Sequence, residues 1–378
     1  MKVLQILPEM NAGGVERGTL EMGRHLVREG HEALVVSNGG RMVAQLEAAG
    51  IRHIAIPVHR KRVGSLFQVR PFRRLLAVER PDILHIRSRV PGWIAWLAWR
   101  KLNPRARPHF VSTVHGFYSV NAYSSIMARG ERVIAVSDSI RDYITKNYPG
   151  AQRDRIRVIP RGVDPDEYFV GFQPTPAWHE RWQRDFPQVL GQKVLTLPGR
   201  ITRLKGHEDF LCLLGDLRKA GEPVHGLIVG DVHPKKQSYL SELRSIAGQA
   251  GLASHVTFTG HRSDLREILA VSDVVFSLST QPEAFGRTTL EALALGRPVV
   301  AYEHGGVGEL LDRFFPLGRI PLGNGQALRQ ATRRILAGGV QLLPVTAPYT
   351  LEAMCSGTLA TYASILAESD RLPTEASP

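Results

Sequence analysis

The strongest constraint in this chain is a rhythm. Short runs rich in β-branched residues alternate with longer amphipathic segments, in two series separated by an irregular stretch. In the first series the strand candidates are residues 2–7, 32–37, 53–57, 83–86, 110–114, 132–136 and 156–159. Helix candidates fall between them at 15–29, 41–49, 65–79, 92–101, 119–129 and 138–147. Strands joined through helices pair in parallel, so a parallel sheet with helices on both faces is expected. Residues 161–190, rich in Pro, Gly and aromatic side chains, break the rhythm and read as a linker. The second series has strand candidates at 194–198, 224–229, 256–259, 274–277 and 299–302. Its helix candidates are 208–220, 239–250, 263–271, 288–295 and 308–311, with a late one at 326–337. The expected fold is α/β, with two Rossmann-like doubly wound domains facing a central cleft. Ligand sites in such sheets lie beyond the carboxyl ends of the strands, so the loops after each strand are where chemistry is sought.

Composition removes several classes. With 43% apolar and 22% charged residues among 378, the chain is globular. Two cysteines, Cys212 and Cys355, form neither a disulfide framework nor a four-ligand zinc site, and fit a reducing, cytoplasmic setting. The start turns polar and acidic too early for a signal peptide, and the longest apolar stretch, 91–99, falls far short of the ~18–20 residues of a membrane span. The net charge of +13 is unevenly placed. Residues 1–170 carry 27 Lys and Arg against 15 Asp and Glu, whereas residues 171–378 carry 21 against 20. The front half therefore meets something anionic, or the bias is only a solubility device. A nucleic-acid-binding protein is disfavoured, because no binding motif is present and the excess charge occupies one domain.

Five loops carry candidate chemistry. Gly13-Gly14, before the helix at 15–29, lets a ligand approach the helix N-terminus, although the G-x-G-x-x-G spacing of a dinucleotide fingerprint is missing. That spacing disfavours an oxidoreductase. His115-Gly116 ends the 110–114 strand. His115 reads as a hydrogen-bond partner for a hydroxyl-rich ligand, as an acid/base, or as a buried turn residue. Arg200 and Lys205 flank the turn after 194–198 and together suit a diphosphate, or form an exposed charge pair. The segment STQPEAFGRTTLEALALGRPVVAY is the most specific. Glu283 lies in its loop and Glu291 eight residues on, where a helical carboxylate can accept from a diol such as ribose. The turn Ala284-Phe285-Gly286 aims backbone N–H groups at the site, where an anion also gains from the helix dipole. Arg287 opens the helix. Finally, Glu303-His304-Gly305-Gly306-Val307-Gly308-Glu309 forms another glycine-rich turn into a helix.

Together these residues resemble the retaining nucleotide-sugar glycosyltransferases of family 4, which have the GT-B fold. The resemblance covers most of the chain. It rests on Gly13-Gly14-Val15-Glu16, His115-Gly116, Ile159-Pro160-Arg161-Gly162-Val163-Asp164, Gly199-Arg200 with Lys205-Gly206, Gly230-Asp231, and the spacing of Glu283 and Glu291. Two positions depart from the family pattern. Arg161 stands where Asn is common, and Ala284 where Gly is common.

The resemblance implies an acceptor-binding domain over 1–168 and a donor-binding domain over 169–351, with a helix near 352–370 packing back on the first. It implies that Arg200 and Lys205 neutralise the donor diphosphate and that Glu291 holds the ribose. Glu283, with the backbone of Phe285 and Gly286, would hold the sugar. His115 would contact that sugar from the opposite domain, and Gly14 would lie near phosphate or acceptor. No metal or cofactor is expected, since Asp164 and Asp166 fall in the linker and read as a turn feature. No residue stands out as a double-displacement nucleophile, so front-face retention is favoured.

Two basic clusters speak to the acceptor. Arg60, Lys61 and Arg62 lead into a segment with Arg70, Arg73 and Arg74, whose Leu66, Val69, Phe72, Leu75 and Leu76 suit a helix with one buried face. Trp93, Trp96 and Trp99 recur at helical spacing beside arginines, as at membrane interfaces or as in a core helix with charged ends. The expected partners are a nucleotide-sugar donor, UDP-sugar favoured, and an envelope glycan or glycolipid acceptor such as lipopolysaccharide core. Peripheral contact with the inner face of the cytoplasmic membrane is expected too. A nucleotide-sugar 2-epimerase would use the same architecture without an acceptor.

Overall fold

The computed structural model describes residues 1–11, 13–61 and 63–371, so Arg62 of the basic segment lies outside the described residues. The chain forms two compact units. Unit 1 is Met1–Arg161 together with the segment from Leu351 onward, and unit 2 is Gly162–Thr350.

Unit 1 is a parallel seven-stranded sheet of β1 Lys2–Ile6, β2 Glu32–Ser37, β3 Arg52–Ala55, β4 Ile83–Ile86, β5 His109–Val114, β6 Arg132–Ala135 and β7 Ile156–Val158, in the order β3-β2-β1-β4-β5-β6-β7. Its central strands are near-continuous apolar runs because both faces are covered, and Val3, Leu4 and Ile6 of β1 are fully buried. The helices are α1 Gly14–Arg28, α2 Val43–Ala48, α3 Val69–Glu79, α4 Arg89–Trp99 and α5 Asp138–Asn147. In α1 an acid (Glu16) stands in the first turn and bases (His25, Arg28) in the last, which complements the helix dipole.

The helix expected over 119–129 does not form; a short 3-10 turn, Ser124–Ala128, stands there instead. Side chains take up the backbone groups that a helix would use. Asn121 Oδ1 accepts from the Ser124 N–H at 2.9 Å, and Ser125 Oγ donates to Ala122 O at 2.7 Å. A groove of about 640 Å³, lined by Trp96, Val120, Ala122, Arg129, Tyr148 and Arg155 among others, opens beside this segment.

Unit 2 is a parallel six-stranded sheet of β8 Lys193–Pro198, β9 Val224–Val229, β10 Val256–Gly260, β11 Val274–Ser277, β12 Val299–Tyr302 and β13 Arg319–Ile320, in the order β10-β9-β8-β11-β12-β13. The two-residue β13 has no apolar run long enough to register in the sequence. The helices are α6 Pro176–Asp185, α7 His207–Lys219, α8 Gln237–Gln249, α9 Leu265–Ala270, α10 Arg287–Ala294, α11 Gly305–Phe314 and α12 Gly325–Leu336.

The expected linker over 161–190 is instead part of unit 2 and contains α6. Thr175 caps this helix, accepting from the Trp178 N–H, and Pro176 occupies its first turn. Trp178 and Trp182 stack at 5.0 Å and are buried with Val194, Leu227, Val229 and Ile268. The division between the units therefore falls at Arg161–Gly162 instead of 168–169, and Val163 forms a parallel bridge with Thr350 inside unit 2. The last helix, α13 Leu351–Arg371, adds Met354, Cys355, Tyr362 and Ile365 to the core of unit 1.

In both sheets the strand order reverses once, between β1 and β4 in unit 1 and between β8 and β11 in unit 2. The loops leaving such a pair run to opposite faces and leave a crevice at the strand ends.

Candidate active site

The site of unit 2 is built at its reversal point. β8 ends at Pro198, and the chain continues through Gly199 and Arg200 into a 3-10 turn, Arg203–Lys205. Gly206 then caps α7 in the left-handed region at φ 67°. A Cβ at Gly206 would lie 2.1 Å from the Leu278 carbonyl oxygen, so only glycine lets the turn press against the end of β11. The Thr280 N–H donates to Leu204 O at 2.9 Å and ties the two loops together.

This contact brings Lys205 and Glu283 into an ion pair with Nζ–Oε1 2.5 Å. Ser279 Oγ donates to the same carboxylate oxygen. Burial pushes the Glu283 carboxyl up, but the Lys205 charge and the hydrogen bonds from Lys205 and Ser279 outweigh it and hold the group below its usual range. Glu283 is thus an anion that fixes a cation at the strand end. His304 Nε2 lies 2.7 Å from Ser279 O, in donor geometry, and braces the loop. The Gly306 N–H donates to Glu283 O at 2.8 Å and seats residues 283–286 on the start of α11.

Arg200 is exposed, and among the described residues none forms a salt bridge with it. Gly286 caps α10 after Ala284 and Phe285, so the helix presents its N-terminal N–H groups beside Glu283. Glu291 lies one turn into α10, almost fully buried, with Oε1 3.3 Å from Arg287 Nε. The structure therefore brings Lys205, Glu283 and the α10 N-terminus together. It keeps Arg287 and Glu291 as a pair along α10 and leaves Arg200 open. Ser279, which the sequence reading missed, and His304, read there only as part of a glycine-rich turn, hold the arrangement.

Unit 1 has its own cluster at the strand ends. Gly14 opens α1 after β1, Arg87 follows β4, His115 follows β5 and Arg161 follows β7. Arg87 is buried and donates from Nη1 to Gln5 Oε1 at 2.5 Å. Arg161 is nearly as buried and donates from Nη2 to His115 Nδ1. A Cβ at Gly18 of α1 would lie 3.2 Å from Arg161 Nη1 and 3.4 Å from Arg87 Nη2, so a small residue there lets both guanidiniums rest on the helix. His85 in β4 bridges Tyr362 OH and Thr113 Oγ1, each at 2.6 Å. Burial and then the charges of Arg161 and Arg87 hold the His115 imidazole well below its ordinary range. Arg87 and Arg161 were not assigned to a site from the sequence; their convergence depends on which strands are neighbours.

The basic segment is exposed. Arg60, Lys61, Arg70, Arg73 and Arg74 face solvent, and Val69, Phe72 and Leu76 form the buried face of α3. Leu66, expected on that buried face, is instead 52% exposed, and Phe67 beside it is 81% exposed, because a 3-10 turn over Val63–Gln68 precedes the helix and rotates them outward. The Trp stripe is engaged inside unit 1. Trp93 and Trp99 donate to Tyr123 O and Pro108 O at 2.7 Å, and Arg100 and Arg129 cap the Trp96 ring. Among the described residues no helix is long and apolar enough to cross a membrane.

Comparison with known proteins gives two family matches, Glycosyltransferase Family 4 over residues 12–167 and Glycosyl transferases group 1 over residues 179–337. Spore coat protein SA of Bacillus subtilis is 26% identical over 322 residues, 79% of each chain. A glycosyltransferase from Rickettsia africae superposes with TM-score 0.79 at 26% identity, covering 99% of each chain. HepE of Anabaena, solved in complex with UDP and glucose, superposes with TM-score 0.77 at 21% identity, covering 96% of this chain and 100% of that one.

Proposed function

The chain belongs to the family-4 GT-B glycosyltransferases, and on that footing we propose that it moves a sugar, with retained anomeric configuration, from a nucleoside-diphosphate sugar to a cell-envelope glycan or glycolipid. Lys205 beside Glu283 at the reversal point of unit 2 carries this reading. Cleaving the bond between the sugar and the diphosphate builds positive charge on the ring and negative charge on the leaving phosphate. Lys205, Arg200 and the α10 N-terminus meet the negative charge, so the reading assigns this task to the chain's own groups and not to a divalent cation. Glu283 orients Lys205 and faces the sugar hydroxyls, and Glu291 takes the ribose diol. The acceptor oxygen bonds to the anomeric carbon on the face the diphosphate leaves, and its proton passes to the departing phosphate.

A UDP-sugar is the favoured donor, in keeping with the UDP and glucose bound to HepE. Unit 1 takes the acceptor. Its exposed Arg60, Lys61, Arg70, Arg73 and Arg74, with Leu66 and Phe67 between them, suit an anionic, lipid-borne acceptor such as lipopolysaccharide core at a membrane surface.

Thermal shift with UDP-, GDP-, ADP- and dTDP-sugars tests the donor site. A donor at 100 Kd stabilises by about 2.7 kcal/mol. Glu291→Ala is expected to remove that shift; a shift that survives places the nucleotide elsewhere.

A further inference from the structure

We infer that Arg161 is a positioning residue that fixes His115 as its Nε2–H tautomer, so that His115 serves the reaction as a hydrogen-bond donor and not as a base. The sequence left both roles open. The geometry separates them.

Arg161 has only N–H donors to offer, since a guanidinium accepts nothing. Its Nη2 donates to His115 Nδ1, so that nitrogen must hold a lone pair. The proton of the neutral ring then sits on Nε2. Nε2 is shut off from solvent and has no hydrogen-bond partner in the protein. A buried N–H without an acceptor is costly, and a hydroxyl or phosphoryl oxygen of a bound substrate would satisfy it.

The charged and titratable groups packed against the ring oppose its protonation, and Arg161 alone meets Nδ1. Arg161 approaches from the end of β7, Arg87 from the end of β4, and His85 from β4 itself, while on its own loop the Tyr118 hydroxyl accepts from the His115 backbone N–H at 3.3 Å. The acids of α1, Glu16 and Glu21, act on Arg87. A ring held this way cannot take a proton from an acceptor hydroxyl through Nδ1, and its Nε2 already carries one. What it can do is donate the same hydrogen bond at every working pH.

The inference rests on the glycosyltransferase reading for the identity of the oxygen it meets, but its first test needs no substrate. In the full chain labelled with ¹⁵N-histidine, His115 is assigned by comparison with His115→Gln. The wild type is expected to show one His115 tautomer, Nε2–H, which stays neutral on mild acidification. Arg161→Leu is expected to populate Nδ1–H and to move the ring's titration upward, still short of its ordinary range because burial and Arg87 remain, and Arg161→Lys, which keeps a cationic donor, to restore the single tautomer. A wild-type Nδ1–H or imidazolium signal at neutral pH overturns the inference even if Arg161→Leu does not fold; so does an Arg161→Leu spectrum unchanged from wild type.

The second test uses transfer with whichever donor the thermal-shift panel identifies. His115→Gln keeps an N–H near Nε2 and is expected to stay within about tenfold of wild type, while His115→Ala loses about 10²-fold. Equal loss in both overturns the donor role. Failure of the whole panel to shift the wild type overturns the functional reading and leaves the tautomer result standing.

Discussion

Lys205 and Glu283, 78 residues apart in the chain, meet as an ion pair because β8 and β11 are neighbours in the sheet. The cation that would receive a diphosphate is already held by an anion before any ligand arrives. Lys205→Ala is expected to lower kcat/KM by about 10²–10³-fold. Glu283→Gln also slows transfer, yet it frees Lys205 and tightens UDP itself by roughly threefold. Calorimetry with UDP beside initial rates checks this; UDP affinity that falls with kcat would mean Glu283 contacts the nucleotide directly.

Gly206 carries the turn that makes this pair possible. With φ at 67° and the Leu278 carbonyl 2.1 Å from a Cβ, Gly206→Ala is expected to destabilise unit 2 by at least about 2 kcal/mol. Denaturant unfolding measures it, and an unchanged midpoint would contradict the tight packing of the two loops.

Unit 2 also has a built-in acid sensitivity. Burial pushes the imidazoles of His207 and His225 down to about 4. Above the ordinary histidine range both states are neutral and nothing is lost. As pH falls below 6.5 the unfolded chain takes up protons that the folded one refuses, so stability drops until about pH 4. Each site contributes roughly 3 kcal/mol across that window. Melting curves from neutral to acid pH should fall steeply, and His225→Gln should flatten the slope by about half.

Trp178 tests whether residues before β8 are structural. It is buried against Trp182 and donates from Nε1 to Asp264 Oδ2 at 2.8 Å. Trp178→Ala is expected to cost about 3–5 kcal/mol. A linker residue would cost almost nothing.

The exposed segment around Phe67 predicts attachment to anionic bilayers. Wild type should sediment with vesicles containing anionic lipid at low salt, and Phe67→Ser or the pair Arg70→Glu and Arg74→Glu should weaken this by at least about tenfold. No binding to either kind of vesicle would remove the membrane from the proposed function, and equal binding to neutral vesicles would remove its anionic surface.

Most of the fold was legible because a parallel sheet needs apolar runs and helices at regular intervals, and runs such as 32–37 and 224–229 have no other use. Lys205, Glu283 and Glu291 were legible because each follows a strand that could be located. Helix α6 was hidden by the same Pro and aromatic residues that build it: Thr175-Pro176 is a helix start, and Trp178 and Trp182 are its buried stripe. The helix expected over 119–129 failed because Asn121 and Ser125 bind the local backbone instead. The Trp stripe of α4 could serve a core or an interface equally well by spacing, and the indole N–H groups of Trp93 and Trp99 are spent on Tyr123 and Pro108. Arg161 and His115 lie 46 residues apart, and their contact follows from strand order, which no local pattern encodes.

The return of the chain to unit 1 sets an order of assembly. A ribosome delivers residues 1–161 first, then the whole of unit 2, and only afterwards α13. Until then Leu26 and Met22 lack the partners Cys355 and Met354 supply to their core, and His85 lacks the Tyr362 hydroxyl. The first unit to emerge is therefore the last to be finished. It must wait, with the apolar surface that α13 covers still open, while the second completes itself.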